Sequence, residues 1–454
     1  MTYEFYISNF LRRVVQNSTL HAVFHLTNVK SAASEKFFWR LMIWSSVLSA
    51  LFLVALFWIR YLTNPTVITL DRNYHEWNTT FPSLTICFHD RMNATARDEL
   101  IDRLKPNDTK KLERFLDLLV STDIFSVGEL AEYDEYSEMD FKLILNQLTN
   151  VINRKVILGN DIEAKFYRVI TEMGICYSFN SDIIHLISSE GLGIYNPANE
   201  LVEINIVERE TTASLRNLTS NGDIFYHGPF DAPLILKRFK VHTSASAFLT
   251  MTFKPVTVTA DFTIQDLYVQ QRNCRFRHES NLDFFPSYYS NNLCILECRL
   301  KFFIQFCGCI PHFYNLAVRV PICRLKQLKC LMDNHNNITR SLSSCVCLKD
   351  CHSISFTLQN YVLFDWFNDP LIKWDMDVPK VRYSRRIIYG FVDAVASTGG
   401  IAGLFFGASV ITVIELIFLF IKTSLKSLES YRKKQKHPSE QNIHLKIKIN
   451  CHKK

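Results

Sequence analysis

Internal repeats, low-complexity segments and the short motifs of common enzymes are all absent from this 454-residue chain. Without a repeat period, a repeat architecture is excluded. Because no nucleophile elbow, phosphate-binding loop or HExxH motif occurs, an enzyme is the function that the sequence supports least. Histidine is also scarce around the cysteines, which disfavours a cysteine–histidine zinc site. We therefore expect no catalytic centre, no metal ion and no cofactor.

Long uncharged runs are also few, and they lie toward the two ends of the chain. The first covers Leu41–Ile59, and the second runs from Ala394 to Ile414 and continues past Glu415 to Ile421. A helix of about 20 apolar residues crosses a hydrocarbon core of about 30 Å. The first run starts too late for a signal peptide and has no small-residue cleavage site, so it is predicted to be a retained anchor. The sequence thus predicts two membrane spans.

Basic residues flank the outer sides of both runs and set the predicted topology. Lys and Arg concentrate on the cytoplasmic side of membrane proteins, so both termini are predicted to be cytoplasmic. The predicted order is a cytoplasmic tail at 1–40, a first span at 41–59, an extracellular domain at 60–386, a segment with the second span at 387–421, and a basic cytoplasmic tail at 422–454. Because the tails carry the formal net charge of +7, membrane lipid is an expected partner and nucleic acid is not.

Cysteines and glycosylation motifs support an extracellular domain between the spans. Of the thirteen cysteines, all but Cys451 lie there, and an even number in an oxidising compartment indicates disulfide bonds. Five Asn-x-Ser/Thr motifs fall in the same segment, at Asn78, Asn93, Asn107, Asn217 and Asn337. We predict a disulfide-bonded glycoprotein at the plasma membrane.

The predicted ectodomain mixes strand and helix patterns. In ASAFLTMTFKPVTVTADFTI, Leu249, Met251 and Phe253 alternate with threonines, which indicates a strand. A second strand is predicted at LVEINIV, and a helix is predicted between Lys110 and Ile124, where leucine and phenylalanine recur at helical spacing. The predicted fold class is α+β, with two transmembrane helices flanking a large disulfide-rich extracellular domain.

The spacing of ten cysteines predicts a nested set of bridges. Cys294 and Cys298 are four residues apart, which places them on one face of a helix. Cys345 and Cys347 are two apart, on one face of an extended strand. A helix antiparallel to such a strand gives the pairs Cys294–Cys347 and Cys298–Cys345, with Cys274–Cys351 outside them and Cys307–Cys330 and Cys309–Cys323 within the loop. Spacing does not select this connectivity over the others that are allowed, and zinc stays an alternative for the CGC and CVC pairs.

Four stretches, together with the order of the ten cysteines, resemble the degenerin/epithelial sodium channel family. They are FPSLTICF from Phe81, MGICYSFN from Met173, RNCRFRHESNLDFFPSYYSNNLCILEC from Arg272, and DAVASTGGIAGLFFGAS from Asp393. The form QRNCRF is most similar to the insect pickpocket subunits. The resemblance covers the chain from about Thr19 to Ile421, and it is specific because the motifs recur in order.

The resemblance implies a trimeric channel with palm, thumb and finger parts above six transmembrane helices. It implies selective passage of sodium ions, block by amiloride-type compounds, a homo- or heterotrimer with related subunits, and opening by an extracellular ligand or by mechanical force. It adds the bridge Cys87–Cys176. The implied functional residues are a selectivity filter at Gly407, Ala408 and Ser409, an outer gate at Ala396, and an N-terminal gating motif at His21 and Ala22. In that motif the family has glycine after histidine, so its conformational freedom is lost here.

The residues of the second span suit a pore. Gly399, Gly403 and Gly407 recur every four residues, with Gly400 beside them, so they are predicted to share one helix face. Close helix packing in lipid is one explanation of such a face. A sodium ion, however, needs oxygen ligands, and small side chains expose backbone carbonyls to which the Ser409 hydroxyl can add.

Two carboxylates lie near the predicted membrane boundaries. Glu415 would cost on the order of 2–3 kcal/mol if it faced lipid, so we predict that it lines a wet inner vestibule. Asp393, near the outer end of the span, has two explanations that the sequence does not separate. It either attracts cations or caps the helix.

Three alternatives stay open from the sequence. A non-conducting or modulatory subunit of a heteromeric channel is favoured by the change at His21–Ala22. A two-span scavenger-type receptor shares the topology, although its anchors need neither a glycine face nor a glutamate. An ATP-gated trimeric channel shares it too, but its lysine-rich nucleotide site and its cysteine pattern are not seen.

Overall fold

The computed structural model describes residues 32–149, 155–159, 162–183, 201–205, 212–216, 218, 220–233, 240–314, 320–365 and 370–436. The predicted sites His21, Ala22 and Asn217 lie outside these ranges. The chain divides into two compact units. The terminal unit combines the segments before Val67 and after Arg386, and the central unit is Val67–Arg386.

Helices and strands are interspersed through the central unit, whereas long helices form most of the terminal unit. The described helices are α1 (Ala33–Thr63), α2 (Ala94–Leu104), α3 (Thr109–Ser121), α4 (Phe141–Leu148), α5 (Val269–Arg272), α6 (Asn291–Cys307), α7 (Leu325–Asp333), α8 (His335–Ser341), α9 (Phe391–Phe406) and α10 (Val410–Lys436). Short 3₁₀ segments are Tyr74–Glu76, Val127–Tyr136, Phe262–Asp266 and Leu342–Ser344.

The described strands pair into two large sheets and two small ones. They are β1 (Thr66–Asp71), β2 (Asn78–Thr80), β3 (Ser83–Phe88), β4 (Lys155–Leu158), β5 (Ile162–Lys165), β6 (Tyr167–Thr171), β7 (Gly174–Phe179), β8 (Glu203–Asn205), β9 (Thr212–Arg216), β10 (Gly222–His227), β11 (Lys240–Thr243), β12 (Ala247–Ala260), β13 (Cys274–Arg275), β14 (Lys349–Asp350), β15 (Ser353–Asp365), β16 (Leu371–Met376) and β17 (Arg382–Ile387). The order is β1-β17-β12-β16-β9-β4-β5 in the larger sheet, with β15 on β12, and β11-β10-β3-β7-β6 in the other.

Strand β12 is the centre of the larger sheet, and its sequence shows why. Leu249, Met251 and Phe253 are fully buried, and the threonines between them are half-buried, as alternation predicts. The strand pairs antiparallel with β15 and parallel with β16. It ends at Ala260, so the last residues of the predicted stretch form a 3₁₀ segment instead. The strand predicted at LVEINIV is confirmed over Glu203–Asn205, and its last two residues lie outside the described ranges.

Helices of the central unit share an apolar cluster that is separate from the one around β12. In α3, Leu112, Phe115 and Leu119 recur at helical spacing and are buried. The Asp108 carboxylate accepts the Lys111 N–H at 3.1 Å and caps the first turn. The predicted helix is therefore confirmed, although it ends at Ser121, before Ile124. With helices and sheets both present, the α+β prediction is confirmed.

Six disulfides lie in the central unit. The bonded pairs are Cys87–Cys176, Cys274–Cys351, Cys294–Cys347, Cys298–Cys345, Cys307–Cys330 and Cys309–Cys323. These bonds occupy the thiols of the CGC and CVC pairs, so those cysteines are not zinc ligands. One detail differs from the prediction: Cys345 has extended backbone, but neither Cys345 nor Cys347 belongs to a described strand. The Asn291 side-chain amide, on α6, holds this segment through the Cys347 and Leu348 carbonyls.

The predicted glycosylation motifs lie at accessible positions where the structure describes them. Asn78, Asn107 and Asn337 are exposed, so a glycan could extend into solvent from each. Asn93 is half-buried, and its side-chain oxygen accepts the Ala96 N–H at 3.2 Å as the cap of α2. Its amide nitrogen is the glycan acceptor atom, so capping and glycosylation use different atoms of the same side chain.

A buried ion pair joins α6 to the turn between β6 and β7. The Arg299 guanidinium donates to both carboxylate oxygens of Glu172, at 2.7 and 2.8 Å, and the Tyr314 hydroxyl donates to the same carboxylate at 2.5 Å. Burial alone would lower the pKa of Arg299, but the adjacent Glu172 carboxylate raises it. Burial, and then the Glu172 charge, raises the pKa of Tyr314, so its hydroxyl stays protonated. The pair is therefore charged and shielded from solvent.

His312 is expected to make the central unit acid-sensitive. Burial, with a smaller effect of Lys142, lowers the pKa of His312 from 6.5 to about 4. Below pH 6.5 the unfolded chain binds a proton that the folded chain does not. The free energy of unfolding should therefore fall as the pH falls, by up to about 3 kcal/mol at pH 4. Thermal unfolding of the full-length protein in detergent, compared between wild type and His312→Leu, measures this contribution.

The exposed histidine His75 supplies the control for that comparison. We expect His75→Leu to lose stability with acid as steeply as wild type, and His312→Leu to lose less. An equal loss in all three proteins would show that His312 does not carry the effect.

Candidate functional site

Three helices, α1, α9 and α10, form the described part of the terminal unit. By length and composition α1 could cross a membrane, and it contains the whole predicted run Leu41–Ile59. The second predicted span is not one straight helix. It is the pair α9 and α10, which are bent by 77° at a short break and could together form a second span.

One side of α9 packs against α1. Ala394 and Ile401 are buried on that side. The Trp58 indole N–H donates to the Thr398 hydroxyl at 3.2 Å, and the Tyr389 hydroxyl bonds to that of Ser397 at 2.9 Å. Tyr389 also stacks on Phe57, with ring centroids 6.0 Å apart. These contacts to α1 come from Thr398 and from Tyr389, which lies just before α9, and not from the glycines.

The small residues of α9 lie on the side away from α1. Ala396, Gly399 and Gly400 are exposed, and a Cβ added to either glycine would meet no described atom within 4 Å. Gly403 follows one turn later on the same side, half-buried. The predicted small-residue face is present over these four positions, and no described part of the chain covers Gly399 or Gly400.

Gly407 ends α9 instead of extending that face, which corrects the prediction that it shares a helix face with Gly399 and Gly403. Its φ of +61° and ψ of 23° are left-handed, a conformation that favours glycine. The amides of Gly407 and Ala408 turn back to the carbonyls of Gly403 and Ala402, at 2.9 and 3.3 Å. The predicted filter residues Gly407, Ala408 and Ser409 are thus the three non-helical residues of the break.

The break leaves backbone oxygens available. The last carbonyls of a helix have no partner within it. No hydrogen bond from a described residue reaches the carbonyl oxygens of Leu404, Phe405 or Phe406. The helix dipole adds a partial negative charge at this end of α9. The arrangement can therefore attract a cation and offer it oxygen ligands.

Ser409 caps α10, a role that the sequence interpretation did not include. Its hydroxyl accepts the Thr412 N–H at 3.2 Å, and the Thr412 hydroxyl accepts the Ser409 N–H, also at 3.2 Å. The two hydroxyls lie 3.1 Å apart. The Ser409 side chain is thus engaged within the chain. We infer that the backbone carbonyls, more than this hydroxyl, are the oxygens available to an ion.

The two predicted carboxylates differ in their surroundings. Asp393 accepts the Gly390 N–H at 2.8 Å, so in this structure it caps the start of α9. Glu415 lies half-exposed on α10, six residues beyond Ser409. Sequence reasoning also missed Tyr389 and Thr398, because a tyrosine or threonine beside an apolar run gives no sign of its partner.

A disulfide-bonded α+β unit, with one apolar helix before it and a broken apolar pair after it, has the features of a membrane channel subunit. The chain matches the family described as "Amiloride-sensitive sodium channel" over residues 14–419, and it belongs to that family. The resemblance inferred from the sequence motifs is therefore confirmed. Members of this family are ion channels and not enzymes.

Several curated relatives match over most of their length. "Sodium channel protein Nach" of Drosophila melanogaster is 24% identical over 84% of this chain and 82% of its own. "Pickpocket protein 28" of the same organism is 21% identical over 94% of this chain and 80% of its own. Human "Acid-sensing ion channel 4" is 22% identical over 94% and 82%, respectively. Family membership supports a sodium channel subunit that assembles with related subunits. It excludes the scavenger-receptor and ATP-gated channel alternatives.

Proposed function

We propose that this chain is a subunit of a trimeric, sodium-selective and amiloride-sensitive channel of the plasma membrane. Both termini lie in the cytoplasm, and the central unit lies outside the cell. An extracellular ligand or mechanical force opens the channel. The observation that carries the proposal is the break of the second apolar segment at Gly407–Ser409.

The chemistry of the break suits a cation pathway. Non-helical backbone at membrane depth is stable only where it is buried in protein or lines water. Carbonyl oxygens at the end of α9 replace the water ligands of a sodium ion, and three copies around an axis form a closed ring of such oxygens. Glu415 lines the inner vestibule of the same pathway, where water removes the cost of facing lipid.

The exposed small face of α9 supports the trimer. Ala396, Gly399, Gly400 and Gly403 allow helix backbones to approach closely in lipid. Because α1 packs elsewhere on α9, the occupant of this face comes from another subunit. In a symmetric trimer, the three identical faces meet in a closed ring around the threefold axis. Ala396 is then the outer gate, and the glycines below it line the pore.

The disulfides and glycosylation motifs of the central unit support its proposed position outside the cell. Six disulfides form and persist in oxidising compartments, and they are rare in cytosolic proteins. The exposed sequons at Asn78, Asn107 and Asn337 require passage through the secretory pathway to be used. Anionic lipid of the inner leaflet attracts the basic C-terminal tail in this topology.

Voltage clamp of cells that express the chain tests the proposal. We expect an inward current that disappears when external sodium is replaced by a large organic cation and that amiloride blocks. A chain that is silent alone but alters the current of a co-expressed related subunit would be the modulatory subunit that the His21–Ala22 change favours. No current alone, and no effect on related subunits, would contradict the proposal.

A further inference from the structure

One reciprocal pair of hydroxyl residues holds the start of α10. Ser409 is the residue before the helix, and Thr412 is its third residue. Each side chain accepts the other's backbone N–H, at 3.2 Å in both cases. This is the geometry of a capping box, with threonine in the place of the usual glutamate or glutamine. Thr412 is only 7% exposed, so water does not readily replace its hydroxyl.

The bond to the Ser409 N–H also sets the direction of a carbonyl. The Ser409 N–H and the Ala408 C=O belong to the same planar peptide unit, in which they point in opposite directions. When the Thr412 hydroxyl accepts the N–H, the Ala408 oxygen is therefore held pointing away from Thr412. The Ser409 carbonyl is fixed as well, because it accepts the Val413 N–H at 3.1 Å.

We propose that Thr412 is a positioning residue for ion selectivity: its hydroxyl holds the Ser409 amide and thereby aims the Ala408 carbonyl at the ion. This inference rests on the proposed function. It assigns a role to a residue outside the Gly407–Ser409 filter, and it explains why a break with three flexible small residues presents a defined ring of oxygens. Without that bond, the peptide between Ala408 and Ser409 can rotate, and discrimination between sodium and potassium falls.

Three substitutions test the role by current measurement on the full chain. Thr412→Val keeps the shape and removes the hydroxyl, so the sodium-to-potassium permeability ratio should fall by up to about tenfold, the equivalent of one hydrogen bond. Thr412→Ser keeps the hydroxyl and should restore the ratio. Thr398→Val, which removes a hydroxyl from the α1 contact instead, should leave the ratio unchanged. An unchanged ratio in a conducting Thr412→Val channel would overturn the proposal.

Hydrogen–deuterium exchange separates this inference from the proposed function. In full-length protein reconstituted in lipid nanodiscs, the amide of Ser409, which loses its acceptor, should exchange up to about tenfold faster in Thr412→Val than in wild type. Thr412→Ser should match wild type. Equal exchange in Thr412→Val and wild type would overturn the positioning role even if the channel conducts. If wild type carries no sodium current, the selectivity role falls with the proposed function, and the exchange result still decides whether Thr412 holds the break.

Discussion

Cells that express Ala396→Phe are expected to pass a sodium current at rest, without any stimulus. Ala396 is exposed on the face of α9 that carries Gly399 and Gly400, which we propose to face the pore axis. Three alanines allow the three α9 helices to cross closely in the closed channel, and three phenylalanines do not. Overpacking of this kind costs about 1–3 kcal/mol, and each 1.4 kcal/mol shifts the equilibrium toward the open state by about tenfold. Sustained sodium entry should then swell and kill the cells.

Val395→Phe is the matched control for this experiment. Val395 is also exposed, but it lies about 100° around the helix from Ala396. The same added bulk at that position should leave the resting current low. Resting current and cell survival, measured at equal surface expression, distinguish the two variants. An Ala396→Phe channel that reaches the surface, is silent at rest and still opens with its stimulus would contradict the gate assignment.

Arg299→Ala is expected to prevent most of the protein from reaching the cell surface. The substitution leaves the Glu172 carboxylate buried without its cation, and Glu172 is only 2% exposed. Breaking a buried ion pair in this way costs about 3–5 kcal/mol, a large part of the stability of a typical domain. Surface biotinylation and thermal unfolding of the full-length protein in detergent measure the loss.

Two further variants separate charge burial from general damage to α6. Gln305, on the same helix, is exposed and uncharged, so Gln305→Ala should change the stability by at most about 0.5 kcal/mol. The double variant Glu172→Leu/Arg299→Met removes both buried charges and should be more stable than Arg299→Ala alone. If Arg299→Ala and Gln305→Ala were equally stable, the buried pair would not stabilise the central unit.

Local patterns in the sequence predicted the elements well because their causes are local. The alternation around Met251 and the helical spacing around Phe115 each record one buried face, and the structure buries both residues. The paired cysteines on α6 are another example, because four-residue spacing on a helix specifies which side chains share a face.

Features that depend on distant residues were not predictable. Arg299 and Glu172 are 127 positions apart, and nothing near either residue indicates its partner. The order of strands within the larger sheet was not predictable either, because β12 pairs with strands that follow it by about a hundred residues.

The candidate site was predictable in part. Its glycines were visible as a four-residue repeat, but the repeat could not show that Gly407 adopts a left-handed conformation and ends α9. The Ser409–Thr412 cap was hidden for another reason. Two hydroxyl residues three positions apart occur in many helices, and only a helix start at Val410 turns the spacing into a cap.

The central claim, that the small-residue face of α9 lines a water-filled cation pathway, can be tested with a single cysteine at Gly400. A positively charged, membrane-impermeant thiol reagent applied outside the cell should irreversibly reduce the sodium current of Gly400→Cys, because the open side of this residue faces water in the pore. The same reagent should have no effect on the current of Phe391→Cys or of wild type, because Phe391 is exposed and lies about 180° around the helix from Gly400. A conducting Gly400→Cys channel that the reagent leaves unchanged, or one that responds no more than Phe391→Cys, would contradict the account.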